Sequence, residues 1–186
     1  MIGPLGFAAA WIVSGIATDG YEPSARAISD LAAISASTRV VMTAGLVVLG
    51  IGLIVDSWSV RAVVTGRAWV AVLISGVAAL GVAAVPLRWS SDGLHAAFAA
   101  LGYGALALAP ALAARPLAAT GHRGAALLSM VCAGVCAGCL LVAVAGSDHG
   151  LFQRLGLSIG HVWIVGLAAC VVLGSGAIPD RVVRTS

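Results

Sequence analysis

The chain contains 186 residues, of which 61% are hydrophobic and only 9% are charged, and its net charge is +3. A soluble domain is about 45–50% apolar and about 25% charged, and one of this length could not hide so much apolar surface from water. The composition therefore excludes a soluble enzyme, a nucleic-acid-binding domain and a disordered chain, and it indicates an integral membrane protein.

Apolar runs follow one another along the chain. A membrane-spanning helix needs about 20 mostly apolar residues, and the runs lack the two-residue alternation of a barrel strand. Six segments reach or approach this length: residues 2–17, 40–55, 68–87, 95–114, 124–145 and 158–178. We expect the first to be retained rather than cleaved as a signal peptide, because Pro4 and Gly6 interrupt it and no basic residue precedes it. The sequence predicts one all-α membrane domain over residues 1–186, a six-transmembrane-helix bundle with antiparallel neighbours.

The arginines are distributed unevenly between the two sets of loops. The loops after the second and fourth segments, with the C-terminal tail, carry six arginines against two aspartates, whereas the other three loops carry four arginines against five acids. Because positively charged loops stay in the cytoplasm, we expect both termini to be cytoplasmic. Trp58 and Trp69 are then expected at the inner membrane boundary and Trp89 at the outer one. The chain is rich in alanine, glycine and valine, and all ten of its lysine and arginine positions are arginine. This usage is typical of a GC-rich bacterial genome, and we expect a multi-pass protein of a bacterial plasma membrane.

The first outer loop is polar and begins with Asp19 and Tyr21. Apolar residues at helical spacing then predict a short helix over residues 23–34, lying in the membrane interface. Arg26 and Asp30 are four residues apart on this helix and are expected to form an ion pair. A solvated loop helix with a weak surface pair remains an alternative interpretation.

The other two outer loops carry three histidines. His95 falls in the first turn of the fourth helix, and His149 precedes the sixth. Arg154, Ser158 and His161 share one helix face, so that His161 lies roughly 10 Å deeper in the membrane than Arg154. An ionisable group at such depth is expected to face the bundle interior, either as part of a site or as a neutral histidine hydrogen-bonded between helices.

The fifth segment combines cysteines and glycines. Cys132, Cys136 and Cys139 follow a helical spacing that could hold a soft metal, but in a helix of small residues we expect them to pack as small apolar side chains. Gly134 and Gly138 form a GxxxG step, which favours a close approach between helices in lipid.

Three short stretches bear a family resemblance. They are Gly20–Pro23 leading to Ile28–Leu31, Val85–Pro86 followed by Leu94–Ala97, and Gly150–Leu155 with Trp163 downstream. Together they resemble the bacterial multi-pass membrane proteins collected as domain-of-unknown-function family 998. The resemblance covers nearly the whole chain and implies six transmembrane helices and a polar outer cluster, but it implies no activity.

The favoured hypothesis is a binding or accessory role at the extracytoplasmic face, with membrane lipid or another membrane subunit as the partner and no nucleic acid. An anionic group would pair there with arginines. The predicted binding cluster comprises Asp19, Tyr21, Arg26, Asp30, His95, Arg154 and His161.

A zinc-dependent hydrolase of an amphiphilic substrate is the alternative hypothesis. Imidazole and carboxylate ligands suit zinc, and an activated water would then carry out hydrolysis. The candidate ligands are Asp30, His95, His149 and His161. A transporter, or a haem protein with His95 and His161 as axial ligands, is a third possibility.

Overall fold

The computed structural model describes residues 2–87, 92–145 and 148–174, with side chains described as far as residue 169. These residues form six α-helices and one short 3₁₀ helix, and they contain no strand. The α-helices are α1 (Ile2–Ile16), α2 (Arg39–Val63), α3 (Ala68–Ala84), α4 (Asp92–Ala119), α5 (Arg123–Ala145) and α6 (His149–Gly174), and the 3₁₀ helix is Ile28–Ala32. Helices are expected here because no water is available in lipid to pair with the backbone polar groups, which must pair within their own segment.

Four helices in the described residues are long and apolar enough to cross a membrane. They are α2, α4, α5 and α6, and the chain is accordingly a multi-pass membrane protein. The other two helices are apolar but shorter, with 15 residues in α1 and 17 in α3. At 1.5 Å per residue they extend about 22 and 26 Å, less than the ~30 Å thickness of a hydrocarbon core.

Several helix boundaries differ from those predicted. The second helix continues to Val63 instead of stopping at residue 55, and the sixth begins at His149 instead of residue 158. Both helices extend past their apolar runs, because a helix continues through polar residues wherever its backbone hydrogen bonds are kept. The predicted end of the sixth helix at residue 178 lies outside the described residues, as does Trp89.

The predicted interfacial helix over residues 23–34 is largely absent. Only Ile28–Ala32 is helical, and it is a 3₁₀ helix. Pro23 to Arg26 form turns, and Gly20 has a φ of +66°, a conformation that favours glycine. Ile28, Leu31 and Ala32 are buried against the bundle, so tertiary contacts hold this stretch. We call residues 17–38, between α1 and α2, the connecting segment.

Helices that follow one another in sequence pack together, and α6 also packs against α2, α4 and the 3₁₀ helix. Large apolar side chains at the centre are fully buried, among them Met42, Leu53, Leu106 and Ile164. Many others point outwards: Ile16, Val40, Val144 and Val162 are each at least 70% exposed. An apolar outer surface is expected for a bundle surrounded by lipid tails.

The tryptophans near the junction of α2 and α3 lie together. Trp58 and Trp69 stack with ring centroids 6.4 Å apart, and the Arg61 guanidinium lies 5.5 and 5.0 Å from the two ring centroids. The prediction that these tryptophans mark one boundary is consistent with this contact, since amphipathic rings and arginine favour the lipid–water interface.

The GxxxG prediction for α5 is wrong within the described residues. A Cβ added at Gly134 or Gly138 would meet no atom within 4 Å, so no helix approaches this step. The cysteines of α5 instead lie on the packed side: Cys136 and Cys139 are buried, and the Cys136 thiol donates a hydrogen bond to the Gly156 carbonyl at 3.2 Å. They act as small packing residues.

Candidate functional site: an apolar cavity beside the α1–α2 connection

The connecting segment is held against the first two turns of α6. The amide of Leu151 donates to the Ser24 carbonyl at 2.8 Å, and the Gln153 side-chain oxygen accepts from the Ile28 amide at 2.9 Å. Gly150 makes this approach possible, because a Cβ there would lie only 2.5 Å from the Pro23 carbonyl oxygen. Residues more than 120 positions apart therefore form one unit.

Arg154 is the centre of this unit. Its side chain is buried, and Nη1 donates to the carbonyls of Pro23 at 2.6 Å, Arg26 at 3.0 Å and Gly150 at 2.9 Å. Nη2 donates to the Tyr21 hydroxyl. The guanidinium also lies 5.3 Å from the centroid of the Trp11 ring and 5.5 Å from that of Tyr21. Carbonyl dipoles and ring faces thus stabilise its charge, and most of its donors are engaged by protein atoms.

Within the connecting segment, Tyr21 links Arg154 to a main-chain carbonyl. Its hydroxyl donates to the Ala27 carbonyl at 2.9 Å while accepting from Arg154. Burial raises the pKa of Tyr21, although the Arg154 charge acts in the opposite direction. The phenol therefore stays neutral at physiological pH and keeps its donor role.

Arg26 and Asp30 form the predicted ion pair, with 3.4 Å between Nε and Oδ2. The two side chains are 44% and 25% exposed, so solvent screens the pair and it contributes little to stability. Both residues line a small polar pocket of about 250 Å³, together with Tyr21. Asp19 is exposed in the turn that follows α1.

A larger cavity of about 500 Å³ lies on another side of the connecting segment. All six helices contribute to its lining, and so do residues 27–29 of the connecting segment. The lining is mostly apolar, with aromatic rings from Phe7 and Phe98. Three alanines of α4 (residues 96, 99 and 100) line it with side chains too small to fill the space.

Three of the four histidines line this cavity. His95 and His161 are buried, whereas His149 is exposed at the start of α6. The His161 ring meets the Phe7 ring edge to face, with centroids 6.0 Å apart. The His95 Nδ1 lies 2.6 Å from the Val85 carbonyl oxygen, and its Nε2 is buried without a hydrogen-bond partner among the described residues.

The predicted cluster is therefore divided between two places. Tyr21, Arg26 and Asp30 line the polar pocket, with Arg154 bonded to the same stretch of chain. His95 and His161 line the apolar cavity. The α1–α2 connection and the first turns of α4 and α6 do lie close together, but they form two neighbouring sites of different character.

The structure does not bring the four candidate zinc ligands together. Over residues 2–87, 92–145 and 148–174, no three or more histidine, cysteine, aspartate or glutamate side chains are placed to hold a metal ion. Asp30 lines the polar pocket, whereas His95, His149 and His161 line the cavity. Since a catalytic zinc site needs about three protein ligands at ~2 Å, this arrangement does not fit one.

Several residues that contribute to the site are absent from the predicted cluster. Tyr103 and Ser75 line the cavity from the middle of their helices, where they resemble ordinary polar residues of a packed bundle. Gln153 lines it and also bonds to the connecting segment. Gln153 could have been identified from the sequence, because it lies within one of the stretches that carry the family resemblance.

Two of those three stretches, the first and the third, contact each other, and the second joins α3 to α4. Gly150 and Arg154 meet the first stretch at Pro23, as described above. In the second stretch, His95 bonds to Val85 across the loop between α3 and α4. Trp163, downstream of the third, donates to the Ser129 hydroxyl of α5 at 2.9 Å. The residues that carry the resemblance thus join α6 to the connecting segment and to α5, and α3 to α4.

Comparison with known proteins agrees with this resemblance. Neither the curated proteins nor the solved structures contain a match to the chain. The family described as "Protein of unknown function (DUF998)" matches residues 1–170, which include every contact described around the cavity. This multi-pass membrane protein belongs to the DUF998 family.

Proposed function

We propose that the protein binds an amphiphilic, mostly apolar molecule in the 500 Å³ cavity, as a binding or accessory protein of the membrane. The proposal rests on the volume and the lining of this cavity. Its volume falls within the ~300–1,000 Å³ of small-molecule sites. Its lining has the usual character of such sites, with many apolar groups and a few polar ones that orient the ligand.

The location of the cavity supports a ligand that comes from the membrane. Exposed apolar residues surround it, including Val144 of α5, which is 80% exposed and also lines the cavity. Ala96 and Ala100 of α4 are exposed as well and line it too. An apolar molecule could therefore enter from lipid without crossing water, where its transfer would be unfavourable.

The proposal includes the topology expected from the loop charges. In it, α1 and α3 also span the membrane, neighbouring helices run antiparallel, both termini are cytoplasmic, and the cavity lies in the extracytoplasmic half of a plasma membrane. The partner in this proposal is membrane lipid or a second membrane subunit. Cysteines introduced at Asp30 and Asp148, in a chain lacking its own cysteines, test this orientation by labelling from outside intact cells.

Binding is tested with a variant whose larger side chain fills the cavity. Ala99 lines it and Ala97, two residues along α4, is exposed outside it. Ala99→Trp should displace a bound amphiphile, whereas Ala97→Trp adds the same side chain towards lipid. Native mass spectrometry of the purified full chain counts the retained molecules per protein.

We expect about one retained amphiphile per chain in the wild type and in Ala97→Trp, and a several-fold lower occupancy in Ala99→Trp. Equal occupancy in the two variants, with both folded by circular dichroism, would contradict the proposal. So would a wild-type protein that retains no amphiphile even after incubation with the extracted membrane lipids.

A further inference from the structure

We propose that the cavity takes a neutral molecule with a hydroxyl group, of the long-chain alcohol class, and that this hydroxyl donates a hydrogen bond to Nε2 of His95. This inference rests on the proposed function and specifies the polar end of the ligand. It starts from a single observation: a histidine that lines an apolar cavity has one ring nitrogen paired and the other unpaired.

The paired nitrogen determines the role of the unpaired one. A carbonyl oxygen only accepts hydrogen bonds, so Nδ1 of His95, 2.6 Å from the Val85 oxygen, carries the proton and donates. A neutral imidazole has a single N–H, and Nε2 is then a pure acceptor.

Two other polar side chains of the lining are already engaged with the protein. The Gln153 side-chain oxygen accepts from the Ile28 amide at 2.9 Å. The Tyr103 hydroxyl donates to the Phe152 carbonyl at 3.3 Å. His95 Nε2 has no such partner in the described part of the chain, and a buried acceptor without a donor is unfavourable. A ligand that brings a donor would therefore be held more tightly than one that does not.

The absence of fixed charge in the lining favours a neutral ligand. No aspartate, glutamate or arginine lines the cavity within residues 2–87, 92–145 and 148–174. The Arg154 guanidinium supplies no counter-charge to the cavity, because it donates to the carbonyls of Pro23 and Arg26. An anionic headgroup would lose its hydration without gaining a permanent counter-charge, whereas a hydroxyl needs only one acceptor.

The test uses dodecanol carrying a photoactivatable diazirine in mid-chain, added to the full chain in lipid nanodiscs. Crosslinks to cavity-lining peptides of α4 and α6 are quantified by mass spectrometry while unlabelled competitors are titrated. The competitors are dodecanol, its methyl ether, which lacks the donor, and dodecyl phosphate, which is anionic.

The variant His95→Asn separates hydrogen bonding from folding. The asparagine amide can still donate to the Val85 carbonyl, but it places no acceptor at the position of Nε2. The matched control is His122→Asn, since His122 is exposed between α4 and α5 and pairs with Thr120, outside the cavity.

We expect dodecanol to compete about 5- to 10-fold better than its methyl ether on the wild type and on His122→Asn, as one hydrogen bond predicts. On His95→Asn the two should compete equally. Equal competition on the wild type, or a phosphate as effective as the alcohol, would overturn this inference while leaving apolar binding intact. Crosslinking that no competitor reduces would overturn the inference together with the proposed function.

Discussion

Gly150 is the position where a single methyl group should have the largest effect on the connecting segment. A Cβ at this position would lie 2.5 Å from the Pro23 carbonyl oxygen and closer still to that of Arg26. Both atoms are backbone, so neither can rotate away as a side chain would. To reach an ordinary contact of at least about 3.2 Å, the Gly150→Ala variant must move the segment away from α6 by about 0.7 Å or more.

Such a displacement weakens the hydrogen bonds that hold the segment. The Arg154 bond to Pro23 would lengthen from 2.6 Å to about 3.3 Å and that to Arg26 from 3.0 Å to about 3.7 Å, past the normal range. Hydrogen bonds to a charged group contribute roughly 1.5–3 kcal/mol each. Allowing for partial relaxation and for the gain of about 1 kcal/mol from replacing a helical glycine, we expect a net destabilisation of about 2–4 kcal/mol.

The assay is thermal unfolding of the purified chain in detergent, followed by circular dichroism, with hydrogen exchange of residues 21–32 as the local readout. The control is Gly134→Ala in α5, where a Cβ meets nothing within 4 Å and should leave stability equal or slightly raised. We expect Gly150→Ala to melt about 5–15 °C lower than this control and to exchange faster in the connecting segment. Equal melting and equal exchange in the two variants would refute the close packing of the segment on α6.

Other substitutions and treatments test separate contacts. Arg154→Lys keeps the charge but loses the planar guanidinium that reaches three carbonyls and the Tyr21 hydroxyl, and we expect about 2–3 kcal/mol less stability in the same melts. An unchanged melting temperature would contradict the role of Arg154. Asp30→Asn removes only an exposed ion pair and should change stability by less than about 0.5 kcal/mol, so a large loss would mean that Asp30 has another role. Arg61→Ala should cost about 1 kcal/mol and alter the fluorescence of Trp58 and Trp69, unlike a lipid-facing substitution such as Leu127→Ala. Prolonged dialysis against a chelator should leave the melting temperature unchanged, because the described residues offer no group of three metal ligands; a fall would restore the zinc hypothesis.

The helices could be predicted from the sequence because lipid offers no hydrogen-bond partners to the backbone. A long apolar run in lipid must pair its backbone polar groups with one another, and an α-helix does so within a single segment. The boundaries were less predictable, because hydropathy changes before the helix ends. Asp56 illustrates this: it looks like a loop residue by its charge, but it lies within α2 and is buried there.

The histidines of the site were predictable and the acceptors of Arg154 were not. Polarity and helical spacing identify His161 as an interior residue, and it lines the cavity together with His95, which the sequence places in the first turn of the fourth helix. Arg154 bonds instead to main-chain carbonyls of Pro23 and Arg26. Every residue has a carbonyl, so no pattern of side chains indicates which of them a buried arginine will meet. The same limit explains why Asp30 was grouped with the histidines although it lines a different pocket.

The dependence of the connecting segment on α6 has a consequence for biogenesis. The ribosome releases residues 21–32 long before it makes Gly150 to Arg154, and contacts between such distant parts of a chain form late. Until the sixth helix has entered the bilayer, the carbonyls of Pro23 and Arg26 must be satisfied by water or lipid headgroups. Completion of the cavity is thus coupled to insertion of α6, and a nascent chain stalled before it would expose the unattached segment to quality-control proteases.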